Sequence, residues 1–308
     1  MKISDIALLF GDLVHGQDSL GRDIGLEPAA RISAKSGITQ RYLVSPGSDI
    51  IDLARKFFLS ESRGRQLKEC EFVIVVSEYV EHRVPPPSAL ILRQFDLNGK
   101  LVLDLNRGCS GFCEALVISN AFFSSRRFTK GVIITAENYS KLMSRANRSV
   151  APIFSDAVAF TFLEADDRGR FYSSFGSYHT LSENLMYDRR EQELFMNGAA
   201  LVSFVKSEVI PDLARLIKFA ASERKAVDYL FAHQGSALVI QALNSGLQGC
   251  AVRAEFLSGE IGNINSSSIP FLIKEKLLSR RDAGDYFCLL SGFGVGLSFC
   301  NILLDLKT

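Results

Sequence analysis

The run SGFCEALVISNAFFSS, Ser110 to Ser125, is apolar on nearly every side when wound as a helix. A helix with no water-facing stripe must be covered all round, so this one predicts the middle layer of a layered fold. Short β-rich runs surround it: FVIVVS (Phe72 to Ser77), KLVLDL (Lys100 to Leu105), GVIITA (Gly131 to Ala136) and VAFTFL (Val158 to Leu163). Such runs alternating with longer helical ones are the pattern of a mainly parallel sheet covered by helices.

The second half repeats the pattern after a polar connection from about Glu164 to Arg190. An amphipathic helix, GAALVSFVKSEVIPDLARLIKFAAS, leads into the strand VDYLFAH and the helix SALVIQALNSG. A helix from about Ser267 to Ser279 and the strands YFCLLS and LSFCNILL follow. NRGCSGFCEALVISNAF in the first half lines up with IGNINSSSIPFLIKEKL in the second, each a glycine, a polar residue and a helix start. An internal duplication follows, with halves at 1–165 and 166–308 fused into one body. The length of 308 residues suits two such units.

Lys plus Arg is 35 and Asp plus Glu 34, a net charge of +1 that offers no field to recruit nucleic acid. The six cysteines, Cys70, Cys109, Cys113, Cys250, Cys288 and Cys300, contain no CxxC pair, the usage of reduced cytoplasmic thiols. The N-terminus reaches Asp5 and Asp12 too early for a signal peptide. Tyr286 to Leu304 carries no charge, yet its centre reads GFGVG, which punctuates a strand pair better than it continues a membrane helix.

Three residues are candidates for chemistry. Cys109, in DLNRGCSGF, falls between a strand and the buried helix, where a helix N-terminus stabilises a thiolate; the plain alternative is a core cysteine, the reading given to Cys113. His233 ends the strand of YLFAHQGS, where ligand-binding residues of parallel sheets collect, whereas His15, His82 and His179 lie in polar stretches and read as surface residues. Asn263, in EIGNINSSSIP, is either a turn residue or a hydrogen-bond donor. No metal site is expected, because no third ligand stands near the two cysteines.

The order GCSGF, AHQGS, GNINSSSIP, GFGVG resembles the thiolase superfamily, and within it beta-ketoacyl-acyl-carrier-protein synthase III, whose triad is Cys-His-Asn. KSGITQRY (Lys35 to Tyr42), FSDAVAFTFL and FMNGAALVSF extend the similarity over nearly the whole chain. The resemblance implies a thiolase-like α/β fold, two pseudo-duplicated halves in α-β-α-β-α layers. It implies that Cys109 takes an acyl group from a thioester, with the oxyanion on the backbone N–H groups of Cys109 and Val295. His233 and Asn263 would hold a malonyl thioester carbonyl as carbon dioxide leaves, with no cofactor. Gly294 and Gly296 of the GFGVG loop, and Pro86, would shape the substrate pocket. Acyl-CoA or acyl-carrier-protein thioesters are the implied partners, with no nucleic acid or membrane. A cytoplasmic homodimer would pair through KLVLDL.

Departures bear on the substrate. The family's nucleotide-holding tryptophan and arginine fall at Arg31 and Lys35, and the chain has no tryptophan. Its basic docking positions fall at the uncharged Ser203 and Leu238, leaving Arg215, Lys218, Arg224 and Lys225 as substitutes. The loop HRVPPPSA (His82 to Ala89) carries Pro86 in place of a bulky residue, and the family's GDGAG reads Ser155, Asp156, Ala157, Val158, Ala159. The leading expectation is a decarboxylative condensing enzyme of a specialised pathway. An acyltransferase to an alcohol or amine would need His233 as base and depend little on Asn263. A non-catalytic helper subunit is opposed by the complete triad.

Overall fold

In a computed structural model, the protein is described at residues 1–57, 61–78, 84–93, 95, 97–166, 169–188, 190–223, 225–280 and 284–308. His82 and Arg224 lie outside these. The strands are β1 (Lys2–Phe10), β2 (Leu13–His15), β3 (Arg41–Leu43), β4 (Phe72–Val76), β5 (Leu101–Leu105), β6 (Lys130–Glu137), β7 (Ala157–Glu164), β8 (Phe171–Ser177), β9 (Leu185–Asp188), β10 (Glu193–Met196), β11 (Tyr229–Ala232), β12 (Asp285–Gly294) and β13 (Ser298–Lys307). The helices are α1 (Gln17–Ile24), α2 (Leu26–Ser36), α3 (Ile50–Lys56), α4 (Glu61–Glu69), α5 (Pro87–Leu92), α6 (Gly111–Ser124), α7 (Gly198–Phe204), α8 (Ile210–Ser222), α9 (Ala237–Gly246) and α10 (Ser268–Lys276).

The period of two along each strand builds the layers. On β4, which is buried throughout, Phe72, Ile74 and Val76 face one core while Val73 and Val75 face another. On β12, Cys288 and Leu290 enter that first core and Phe287 and Leu289 a third. The shared core holds Phe112, Cys113 and Leu116 of α6 and Ile269, Leu272 and Ile273 of α10, so these helices lie between two sheet regions. Residues of α3 and α5 cover the outer face of one region, and those of α8 and α9 that of the other. The result is the expected α-β-α-β-α arrangement.

The same pairing sequence occurs twice. β4 runs parallel to β6, which is antiparallel to β7, which is antiparallel to β1; β11 runs parallel to β12, antiparallel in turn to β13, and β13 to β8. One residue pair, Lys2 with Lys307, joins β1 to β13. β5 extends the first set as an edge strand. The uncharged stretch near the C-terminus forms the β12–β13 hairpin, and among the described residues no helix is long and apolar enough to cross a membrane.

Differences from the sequence reading have physical causes. β1, a central strand, was not among the expected ones, because Asp5 interrupts its apolar pattern where the register to β7 shifts. The polar connection after Glu164 holds β8 and the β9–β10 hairpin, whose outward positions mix serines with the exposed Phe175, Met186 and Phe195, so no apolar-polar alternation marks them. α6 is buried on most of its surface, but Ala121 and Ser124 reach solvent. The long helix of the second half contains a π turn, Val205–Val209, immediately before the Ile210–Pro211 step; proline supplies no N–H to the turn behind it, and a widened turn absorbs the mismatch. His15 is half-buried against Arg41 rather than on the surface.

Candidate active site

The two central helices start at the same place. Cys109 lies in the turn Gly108–Ser110 leading into α6, and Asn263 lies in the loop leading into α10. His233 follows β11, and Gly294 ends β12. Cys109, His233, Asn263 and Gly294 together line a cavity of about 230 Å³. Its remaining walls are mostly apolar, among them Phe154, Leu201, Val202, Phe204, Leu238 and Phe293.

Each polar side chain is held by its own loop. The Cys109 turn is tied down by Ser110, whose hydroxyl lies 3.1 Å from that of Ser298, and Ser298 in turn donates to the Val295 carbonyl at 3.1 Å. Gly294 has φ +156°, and a Cβ there would lie 2.8 Å from both Cβ and Sγ of Cys109. Only glycine lets the loop approach the thiol so closely. The backbone N–H groups of Val295 and of Cys109 itself face that sulfur. Asn263 is clamped through its main chain, donating to Ile153 and accepting from Ser155, both at 2.9 Å. Its side-chain Oδ1 accepts the Asn265 N–H at 2.9 Å, which leaves the Nδ2 donors free for the cavity. Buried Gln234 braces the His233 turn by donating to the carbonyls of Ala232 and Glu255 and accepting from Leu257 N–H.

Electrostatics at the site differ from the expectation of a helix-stabilised thiolate. Burial pushes the Cys109 thiol well above its usual range, and the carboxyls of Glu78 and Glu137 push it the same way; the Val295 and Cys109 N–H groups oppose them. Cys109 sits in the turn ahead of α6 rather than in its first turn, and burial with the two carboxyls sets the direction. Burial lowers His233 to about 4, so the imidazole is neutral at physiological pH; its edge meets Phe293 with centroids 5.5 Å apart.

Glu78 and Glu137 were missed by sequence reasoning. β4 and β6 pair with Val76 opposite Thr135, and both chains run on into a glutamate two residues later. The Glu78 N–H donates to Glu137 Oε2 at 3.0 Å, Ser266 donates to Glu137 Oε1 at 2.8 Å, and Tyr139 donates to Glu78. Burial raises Glu78 to about 7, and burial with the neighbouring Glu78 carboxyl pushes Glu137 well above its usual range. The sequence carries only part of the signal: FVIVVS and GVIITA each lead into Glu, and it is the register of β4 on β6 that sets the two side by side.

Other expected site residues fall elsewhere. Pro86 is exposed at the start of α5 and does not line the cavity of its own chain; Gly296 stands two residues past the lining Gly294. Lys35 reaches the cavity rim, while Arg31 is exposed beside Glu27. Ser203 and Lys218 are exposed, as is Leu238, and Arg215 pairs with Asp212. Lys225 is committed to Asp305 and lies over the Phe287 ring. Ser155, standing at the first glycine of the family's GDGAG, and Asp156, at its aspartate, are themselves ties: Ser155 Oγ accepts Tyr42 N–H at 2.9 Å, and Asp156 accepts from Val44 and Ser140.

Comparison with known proteins agrees with this geometry. A family model described as 3-Oxoacyl-[acyl-carrier-protein (ACP)] synthase III matches residues 103–179. A beta-ketoacyl-[acyl-carrier-protein] synthase III of Streptococcus agalactiae is 28% identical over 295 residues, covering 89% of this chain and 90% of that protein. One from Streptococcus pneumoniae is 29% identical over the same span. A crystal structure of a 3-oxoacyl-(acyl-carrier-protein) synthase III superposes with a TM-score of 0.88 at 25% identity, covering 99% of both chains. A priming beta-ketosynthase from the R1128 polyketide pathway shares the fold with a TM-score of 0.84 at 20% identity. In fold and in sequence the chain is similar to the condensing enzymes of the thiolase superfamily. Among those, it is similar in sequence and fold to beta-ketoacyl-acyl-carrier-protein synthase III.

Proposed function

We propose that Cys109 takes an acyl group from a thioester and that the acyl-cysteine is joined, by decarboxylative Claisen condensation, to a malonyl thioester held by His233 and Asn263. The Cys109 sulfur attacks the thioester carbonyl while the N–H groups of Cys109 and Val295 receive the oxyanion. After the first thiol departs, the malonyl thioester places its carbonyl oxygen on the imidazole N–H and the Asn263 amide. Loss of carbon dioxide puts negative charge on that oxygen, and the resulting carbon nucleophile attacks the acyl-cysteine, releasing Cys109. CoA and acyl carrier protein are the thioester carriers this reading expects, with Lys35 the cation at the rim.

The observation that carries the reading is the clamp on Asn263. With Oδ1 held by Asn265 N–H, the amide is oriented as a donor beside a neutral imidazole in an apolar cavity. Two neutral donors suit an enolate, whereas transfer to a hydroxyl would need only a base. The test is carbon dioxide release from malonyl thioesters by wild type, Asn263→Ala and His233→Ala, beside acyl transfer to added alcohols. Release lost in both variants supports condensation. Transfer to alcohols without release, surviving Asn263→Ala, would refute it.

The repeated strand pairing supports halves of 1–165 and 166–308. The edge position of β5, with Leu101 exposed, supports a homodimer joined there. Six unpaired cysteines support a reducing, cytoplasmic setting.

A further inference from the structure

Asn265 has no part in the chemistry above, yet it touches all three side chains that do. Its N–H fixes the Asn263 amide, its main chain acts on the His233 ring against the effect of burial, and its side-chain Oδ1 accepts from the Cys109 thiol at 3.7 Å, a normal length for sulfur. The residue is only 1% exposed and holds φ +50°, in the left-handed region that asparagine enters more readily than most residues. Its Nδ2 is buried with no hydrogen-bond partner among the described residues. A buried donor left empty beside a nucleophile is costly, and such groups call for an explanation in function.

We propose that Asn265 is a fourth polar residue of the reaction centre: its carboxamide oxygen accepts the resting thiol proton of Cys109, and, turned over about Cβ–Cγ, it donates Nδ2–H to the thiolate that attacks. The proposal rests on Cys109 being the nucleophile. In the acylation step the Cys109 sulfur bonds to the acyl carbon and the bond to the leaving sulfur breaks. The proton released by Cys109 passes through the neutral His233 ring and ends on the leaving thiol. The groups facing Cys109 explain why a reversible partner is useful there. Burial, Glu78 beyond β4 and Glu137 at the end of β6 all disfavour a negative sulfur, and the opposing donors are the N–H groups of Val295 and Cys109. A carboxamide alone among side chains of this shape offers both an acceptor and a donor.

The test is the pH dependence of iodoacetamide labelling at Cys109, read by peptide mass, in wild type, Asn265→Asp and Asn265→Ser, with thermal unfolding to confirm folding. Aspartate tolerates the same backbone region but, when ionised, only accepts and adds a charge. Its labelling curve should move to higher pH by about one unit, which slows labelling about tenfold at a fixed pH below the midpoint. Serine both donates and accepts, and should stay within about threefold of wild type. A curve for Asn265→Asp that overlies wild type, or equal slowing in Asn265→Ser, overturns the proposal. Should Asn265→Asp fail to fold, Asn265→Ser must label at least about tenfold faster than Asn265→Ala, and equal rates overturn it. A wild-type protein that labels normally but never takes an acyl group from a thioester would instead defeat the nucleophile assignment.

Discussion

Replacing Glu78 by glutamine should make the protein more stable, and increasingly so as pH rises. Glu78 ordinarily titrates near 4.5 but is raised to about 7, chiefly by burial, with Tyr139 donating to its carboxylate and Arg107 nearby opposing the shift. A raised carboxyl contributes stability that is complete below the unfolded value and is lost as pH climbs through the folded one. The rise from 4.5 to about 7 corresponds, at about 1.4 kcal/mol per unit, to about 3.5 kcal/mol at most, shared with Glu137 through their contact. His233 works the other way: lowered to about 4 by burial, it costs stability as pH falls from 6.5 toward that value. The two slopes oppose each other in the wild type between about pH 4.5 and 6.5, so only the difference between proteins isolates Glu78. Glutamine keeps the acceptor for Tyr139 and cannot ionise. The difference in unfolding free energy, measured by urea titration, should be near zero at pH 4, grow through neutrality and level off above pH 8. A difference that is constant across pH, or that shrinks as pH rises, would refute the burial argument.

Gly294→Ala forces a Cβ to 2.8 Å from the Cys109 sulfur, and overpacking of this kind costs about 1 to 3 kcal/mol; acylation should fall sharply in a protein that still melts cooperatively, and unchanged acylation would count against the close approach. Asn263→Ala should keep the acyl-enzyme while decarboxylation falls about a hundredfold to a thousandfold, the usual loss for one donor to a developing negative charge; rapid carbon dioxide trapping measures it. Leu101→Glu on the exposed edge strand should shift sedimentation from dimer toward monomer without unfolding; a wild-type monomer at micromolar concentration would remove the dimer reading.

The layers were legible because β4, β6, β7 and β12 are buried on both faces, so their apolar runs are continuous and unmistakable. β8 and the β9–β10 hairpin were not, since Ser173 and Ser177 alternate with half-buried residues, and Phe195 and Met186 face outward as an exposed pair. At the site, Cys109, His233 and Asn263 were readable because each follows a strand or precedes a helix within a motif. Asn265 and the carboxyl pair were not. Their importance comes from register across β4 and β6 and from a left-handed backbone at one residue, neither of which local pattern encodes. Helix-end stabilisation of Cys109 was expected from local order alone, and burial, joined by two carboxyls brought in by tertiary pairing, pushes the thiol the other way.

The central claim is that Cys109 carries the acyl group into a carbon–carbon bond. Exposing the protein to a panel of acyl thioesters, recording its intact mass, then adding a malonyl thioester tests this directly. The account predicts one added acyl mass, absent in Cys109→Ala. On malonyl addition that mass should be lost with release of one carbon dioxide per acyl group and formation of a 3-oxoacyl thioester. An acyl mass that persists in Cys109→Ala, or one discharged without carbon dioxide, would contradict it.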